Sequence, residues 1–418
     1  MTTNGATRQD EARPPPQPLP PPLAYMRRVL RDHYQDHLPA PPDRFGRREF
    51  GFIFWPRQPG PPPFVRHLAF RTRDDYARTF MRRVPWHAYY STAYYQSPGE
   101  RRMVDKGWLG AELIFDLDAD HLPDAKAMTF EEQLAAVKIE FRKLLDEFLL
   151  GDFGFGEDDM YLTFSGGRGY HCHVTTDSVL GLDSRARREI VDYVTGKGVH
   201  DRRLIWTETR RWRDGAYEQE TRHLRFPKPD LPGWSGRVGR GVLGVVEEVR
   251  DLPWDEAVRR LTQYDGIGPA KAEAFLDKVR DPRVVERMRE GWADQGPAVE
   301  RFLSREAVQR GVVALGEGET DEPVTADVKR LIRLPDSLHG KTGLRVVRLT
   351  LDELADFDPL VDAVALPMGP EDRVVSPKGG SFTLAGERYV LPEGEPMAIP
   401  RAAAFFAVAS RLAVPAER

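Results

Sequence analysis

The chain has 418 residues, with 61 Lys and Arg against 65 Asp and Glu, so its overall charge announces no nucleic-acid partner but leaves room for a local basic groove. A single cysteine, Cys172, excludes internal disulfides and any cysteine-based zinc site, and it fits a reducing cytoplasm. No run approaches the roughly 18 apolar residues of a membrane span, and no apolar segment of a secretory signal follows the start, so the expectation is a soluble intracellular protein of two or three domains.

Residues 1 to 22 are polar and then proline-dense, a composition that cannot pack a core and predicts a disordered or polyproline tail. A helical pattern covers Leu23 to His37. Arg48 to Trp55 alternates like an aromatic strand, Pro56 to Pro63 reads as a turn-rich loop, and Phe64 to Phe70 reads as the next strand. A short apolar run from Leu113 ends in Asp116, Asp118 and Asp120. A strong amphipathic helix follows over Phe130 to Leu150, with Leu134, Val137, Phe141, Leu144, Leu145 and Phe148 on one side. Met160 to Phe164 predicts a strand, and His171 to Thr175 its return after a glycine-rich turn. From Asp183 to about Leu315 the pattern is helical and charged. Val324 to Leu334 then predicts a helix, Leu344 to Leu351 a strand, and Ala402 to Leu412 a last helix. No internal repeat is present. The layout predicts one α/β core (residues 23–182 and 317–418) interrupted by a mainly helical insertion over 183–316.

Three segments carry chemistry. Residues two apart on a strand point to one face, so Asp116 and Asp118 project together from a rigid element, as a divalent cation on nucleotide phosphates requires. A strand running into an acidic, solvated turn accounts for the pair equally well. Ser165, Arg168 and His171 lie in a glycine-rich turn where the backbone can approach a ligand closely and the Arg fork suits phosphate. A plain β-turn with a surface Arg is the alternative, and His173 reads as structural. The third segment runs from Asp321 to Gly343 and holds Asp321, Asp327, Lys329, Arg330, Arg333, His339 and Lys341. Carboxylates beside cations are what phosphoryl or nucleotidyl transfer needs; a helix capped by Thr325 with a solvated basic face is the blander account. Gly340, Lys341 and Thr342 do not form a P-loop, because Pro335 stands where its first glycine belongs.

Two weaker features lie in the insertion. Leu261 to Leu276 resembles a helix-hairpin-helix around Gly266 and Gly268, and is equally well an ordinary helix junction. Arg202 to Arg213, with Trp206 and Trp212, and the Arg222/Arg225 pair could line a nucleic-acid track. Buried aromatics among solvated charges are the slightly favoured reading.

In order, Arg48 to Phe50, Phe115 to Asp118, Ser165 to His171 and Asp321 to Gly343 resemble the catalytic small subunit of the archaeal and eukaryotic replicative DNA primases, in its archaeal form, over roughly residues 40 to 410. The resemblance implies a mixed α/β (α+β) catalytic core with an RRM-like sheet carrying the aspartates and a helical subdomain beside it. It implies template-directed synthesis of RNA primers on single-stranded DNA. Asp116, Asp118 and Asp321 match the carboxylates that hold two divalent ions, Mg²⁺ or Mn²⁺. Asp321 fits better than Asp327 because it stands eighteen residues before His339, the family's spacing. Ser165, Arg168 and His171 match the nucleotide-phosphate site, and Arg333, His339 and Lys341 its second phosphate-binding group. A large regulatory subunit, ribonucleoside triphosphates, a DNA template and a cytoplasmic, nucleoid-associated location are implied. The family's zinc knuckle has no counterpart, since Cys172 is the sole cysteine, so no structural zinc is expected. A repair-type polymerase of the same superfamily shares the Asp116/Asp118 and Ser165/Arg168/His171 logic, but the block from Ser337 to Thr342 argues for the replicative form. A haloacid-dehalogenase phosphatase wants Thr or Val where Asp120 stands. A non-catalytic DNA-binding subunit would require a decayed site, and all three carboxylates are present.

Overall fold

The computed structural model describes residues 18–56, 61–122, 124–199, 206–214, 217–293, 297–312 and 324–416. It is a mixed α+β protein with several antiparallel sheets, and its chain divides into two compact units. Most of the proline-dense tail and Asp321 lie outside the described residues, as does Arg202. No helix among the described residues is long and apolar enough to cross a membrane.

The first unit comprises residues 1–114, 161–182 and 328–418. Its central antiparallel sheet has the order Leu331–Arg333, His87–Ser91, Phe50–Ile53, Phe64–Leu68. Strand alternation sorts its faces. Phe50, Phe52, Ala88, Tyr90 and Ile332 are buried on one side, where Phe52 meets Phe80 and Phe80 meets Tyr34 of the helix Pro21–Asp36. His87, Tyr89 and Arg333 take the other side.

A second sheet follows the order Val347–Leu349, Met160–Phe164, Gly169–Val174, Leu113–Asp118, and the chain leaves this unit within the last strand, after Ile114. Residues 371–400, where the sequence reading gave no element, form Glu371–Val375, Gly380–Leu384, Glu387–Leu391 and Pro396–Pro400. Beyond Arg401, the helix Arg401–Ala409 is wholly apolar and buries every residue from Ala402 to Val408.

The second unit comprises residues 115–160 and 183–327. Thr129 and Glu132 form a capping box that starts the helix Phe130–Lys143, and the helix continues with wider π-type turns over Leu144–Asp152. The helices Gly233–Asp251, Trp254–Thr262, Pro269–Val279, Pro282–Arg289 and Pro297–Gly311 surround one core that includes Val242, Val246, Leu261, Ile267, Phe275 and Phe302.

Four expectations need correction. Val324 to Leu334 is not a helix: Val324–Ala326 is a short 3-10 turn, and Leu331–Arg333 is a strand paired to Tyr89–Ser91. Pro335 disfavours helical backbone just before it, and sheet pairing overrides the apolar spacing. The strand expected over Leu344 to Leu351 spans only Val347–Leu349, because Thr350 caps a new helix from Leu351. The insertion also contains a long antiparallel ribbon, Trp206–Asp214 against Tyr217–Arg225, where a helical pattern was expected. Its Trp206 and Trp212 are not buried: they are 47% and 45% exposed.

Candidate phosphate site and aspartate strand

The glycine-rich turn is built around Ser165. Its Oγ accepts hydrogen bonds from the N–H groups of Gly167 and Gly169, both at 3.2 Å, and its own N–H donates to the Gly169 carbonyl at 2.9 Å. Ser165 therefore holds the turn that presents half-buried Arg168. His171, on the returning strand, is buried, with Nδ1 3.1 Å from the Thr163 hydroxyl.

The segment around His339 packs on this turn. Thr342 donates its hydroxyl hydrogen to the Gly166 carbonyl at 2.6 Å. The N–H of Leu344 donates to the same Thr342 Oγ1 at 3.1 Å, and His339 Nδ1 lies 3.3 Å from it. Since the one hydroxyl hydrogen goes to Gly166, the His339 contact is satisfied with Nδ1–H as donor. Gly166 has φ 73°, and a Cβ there would lie 2.8 Å from His339 Cβ, so the two loops leave no room for a side chain.

A third wall comes from the strand His87–Ser91. Arg333 and the Gly340 N–H both donate to His87 Nδ1, at 2.5 and 3.2 Å. The His87 and His339 rings meet edge to face at 5.0 Å. Trp86 donates its Nε1–H to the Gly340 carbonyl at 2.7 Å, and the Arg333 guanidinium lies over the Tyr89 ring at 4.6 Å.

Ser165, Arg168, Arg333, His339 and Lys341 are thus drawn to one place from three parts of the chain, with His171 on the strand leading out of it. Lys341 is exposed. Burial, then the charge of Arg333, then His87, Lys341 and Arg168 hold His339 well below the usual histidine range. Burial, Arg333 and Lys341 do the same to His87. Burial does most to keep both rings neutral, and the positive charge that adds to it is the field an entering anion would feel.

Behind this site lies a buried polar network. Arg48 donates to the Ser91 and Thr92 carbonyls at 2.7 and 3.1 Å and pairs with Glu112. Glu112 in turn lies 2.9 Å from His173 Nδ1, and Tyr161 donates to it at 3.3 Å. Burial pushes the Glu112 carboxyl up, but Arg48 and His173 outweigh it and pull the group down to about 2. Glu49 is buried against Lys106, Arg66 and His67. Arg48 and Glu49 are thus held in internal ion pairs, and His173 is buried against Glu112.

Asp116 and Asp118 stand in the second unit. Along Leu113–Asp118, Phe115 and Leu117 are buried and the two aspartates are half-buried, so the expected alternation is present. Asp118 Oδ1 also accepts from the Asp120 N–H at 3.0 Å and caps the next turn. Two hard oxygen donors on one strand face fit a divalent cation. No group of three or more possible metal ligands occurs among the described residues, and Asp321 lies outside them.

The sequence did not mark His87, Trp86 or Glu112, and Thr342 stood out only as part of the Ser337 to Thr342 block. Glu112 directly precedes the aspartate strand, and His87 alternates with Tyr89 and Ser91, but neither spacing alone distinguishes a site residue from strand patterning. The hairpin-like segment folds as two helices about Gly266, with Ile267 buried in the core.

Neutral imidazoles, a glycine turn and converging cations bring together the donors and charge that suit an anion. The sequence profile of the DNA primase small subunit matches residues 115–351. The chain is 43% identical over 393 residues to the DNA primase small subunit PriS of Methanothrix thermoacetophila, covering 92% of this chain and 96% of that protein. It is 39% identical over 376 residues to the protein of that name from Methanocella arvoryzae (89% and 93%) and 39% identical over 374 residues to that of Haloarcula marismortui (89% and 93%). The chain belongs to the DNA primase small subunit family.

Proposed function

We propose that this chain is the catalytic subunit of a DNA primase, a nucleotidyltransferase that joins ribonucleotides into short primers on a single-stranded DNA template. Besides the family membership, the observation that supports this reading most is the Thr342–Gly166 hydrogen bond, which ties the glycine turn with Arg168 to the His339 segment with Lys341.

In this reading Ser165, Arg168, His171, Arg333, His339 and Lys341 hold the triphosphate. Arg168 and Lys341 supply charge, and Ser165 keeps the turn open toward the ligand. Asp116 and Asp118, with Asp321, hold two divalent ions, Mg²⁺ or Mn²⁺. Such ions, when bound, activate a 3′-hydroxyl and stabilise the pyrophosphate leaving group. The partners are a large regulatory subunit, the template strand and ribonucleoside triphosphates, and the place of work is the cytoplasm at the nucleoid.

The test is unprimed synthesis on single-stranded DNA with labelled ribonucleotides, with and without a large subunit. New primers support the reading. Products only from supplied primers would favour a repair-type polymerase, and no incorporation at all would leave a DNA-binding subunit.

A further inference from the structure

The two histidines at the back of the phosphate site have opposite hydrogen arrangements. His339 Nδ1 faces a hydroxyl oxygen whose hydrogen is already given to Gly166, so in the neutral ring Nδ1 carries the hydrogen and Nε2 is bare. His87 Nδ1 faces two donors, the Gly340 N–H and the Arg333 guanidinium, and can only accept. A neutral imidazole that accepts at Nδ1 must carry its hydrogen on Nε2. The side chain is buried, and no hydrogen bond to that nitrogen is present among the described residues. The ring carrying it stands beside the Arg333 guanidinium on its Nδ1 side, meets the His339 ring edge to face at 5.0 Å, and feels the charge of Lys341.

We propose that His87 is a further residue of the nucleotide-phosphate site, donating its Nε2–H to a phosphate oxygen of the incoming triphosphate. The assignment rests on the phosphate-site reading of Arg333, His339 and Lys341. Two features fit His87 to the task. The Gly340 N–H and Arg333 fix its tautomer before any ligand arrives, so the donor needs no rearrangement. The ring is also neutral, so its hydrogen bond does not depend on a proton taken from solution.

Direct donation and mere support of the loop are separable, because asparagine and glutamine copy different halves of the imidazole. His87→Asn keeps an oxygen near the Nδ1 position, so Arg333 and Gly340 retain their acceptor, but it has no donor at Nε2. His87→Gln places an amide N–H near the Nε2 position and loses the acceptor. Binding of Mg²⁺·ATP and of inorganic triphosphate to the full-length chain is measured by titration calorimetry, with the melting midpoint of each variant alongside.

Loss of a hydrogen bond to a charged oxygen lowers affinity about tenfold or more. The expected result is that loss for both ligands in His87→Asn, with His87→Gln within about threefold of wild type. Wild-type affinity in His87→Asn overturns the assignment, and so does a larger loss in His87→Gln than in His87→Asn, which marks a supporting role only. Arg333→Ala tests the pocket itself. Unchanged affinity there overturns the phosphate-site reading and this assignment with it. Weakened binding there beside wild-type binding in His87→Asn overturns the assignment alone.

Discussion

Thr342 donates its hydroxyl hydrogen to the carbonyl of Gly166 over 2.6 Å, although 176 positions separate them in the chain. The same oxygen accepts from the Leu344 N–H and meets His339, so one small side chain ties the glycine turn to the loop that carries His339 and Lys341. Removing it strands a buried carbonyl and a buried N–H together. Thr342→Val is expected to cost about 1–3 kcal/mol in urea denaturation and to raise the apparent KM for nucleotide. Thr342→Ser restores both, and a valine variant as stable as wild type would deny the hydroxyl this role.

Gly340 is packed against Trp86 so closely that a Cβ would lie 2.0 Å from the indole Cδ1 and 2.5 Å from the Trp86 carbonyl oxygen. The carbonyl is backbone and cannot swing aside. Gly340→Ala therefore has to displace the loop, at a cost of about 1–3 kcal/mol or more. Reduced melting temperature together with weakened nucleotide binding is the expected pair of readouts, and an unperturbed Gly340→Ala protein would contradict this packing.

Two pH windows in stability separate the buried groups. Glu112 titrates near 2 in the folded chain against an ordinary value of 4.5, so it binds fewer protons than the unfolded chain between those values. Its stabilisation is complete above about pH 4.5 and is lost as the pH falls toward 2. Histidines are depressed too: His33 lies at about 4, and His87 and His339 well below 6.5. The unfolded chain then takes up protons first, and stability falls as the pH drops below 6.5, by up to about 1.4 kcal/mol per pH unit for each ring. Urea titrations from pH 8 downward should be flat to about 6.5 and then decline, and His87→Gln should lessen the decline. Glu112→Gln should be destabilised by about 3–5 kcal/mol at pH 7, because it leaves Arg48 charged and buried.

Asp118 has a local duty apart from metal, since its Oδ1 accepts from the Asp120 N–H. Asp118→Asn keeps that acceptor and removes the charge, whereas Asp118→Ala removes both. Both variants are expected to lose nucleotide incorporation while binding template, and only the alanine variant should lose stability, by about 1 kcal/mol. Incorporation at the normal rate by Asp118→Asn would sink the metal-ligand assignment.

What the sequence made legible was local. Asp116 and Asp118 share a face because a strand alternates, and the Ser165 turn is marked by its own glycines. His87 carried no such signal, because its partners Arg333 and Gly340 are 246 and 253 positions away. Leu331–Arg333 misled for a related reason: its apolar spacing fits a helix, and only pairing with Tyr89–Ser91 makes it a strand. The strands between residues 371 and 400 are short and mixed in burial, so their alternation is weak. The Arg48 to Phe50 motif was visible, yet its job as an internal ion pair was not, since Glu112 is 64 positions away.

Neither compact unit is continuous in the chain: the first returns at residue 161 and again at 328, and the second resumes at 183. A ribosome delivers the chain from one end, and domains made of one segment can fold as they emerge. Here the first unit lacks the edge strand Leu331–Arg333 and the apolar helix Arg401–Ala409 until synthesis is nearly over. The aromatic face of Phe50, Phe52 and Tyr90 must wait incomplete through most of translation. Nascent chains halted before residue 328 should therefore be protease-sensitive in the first unit and good clients for chaperones.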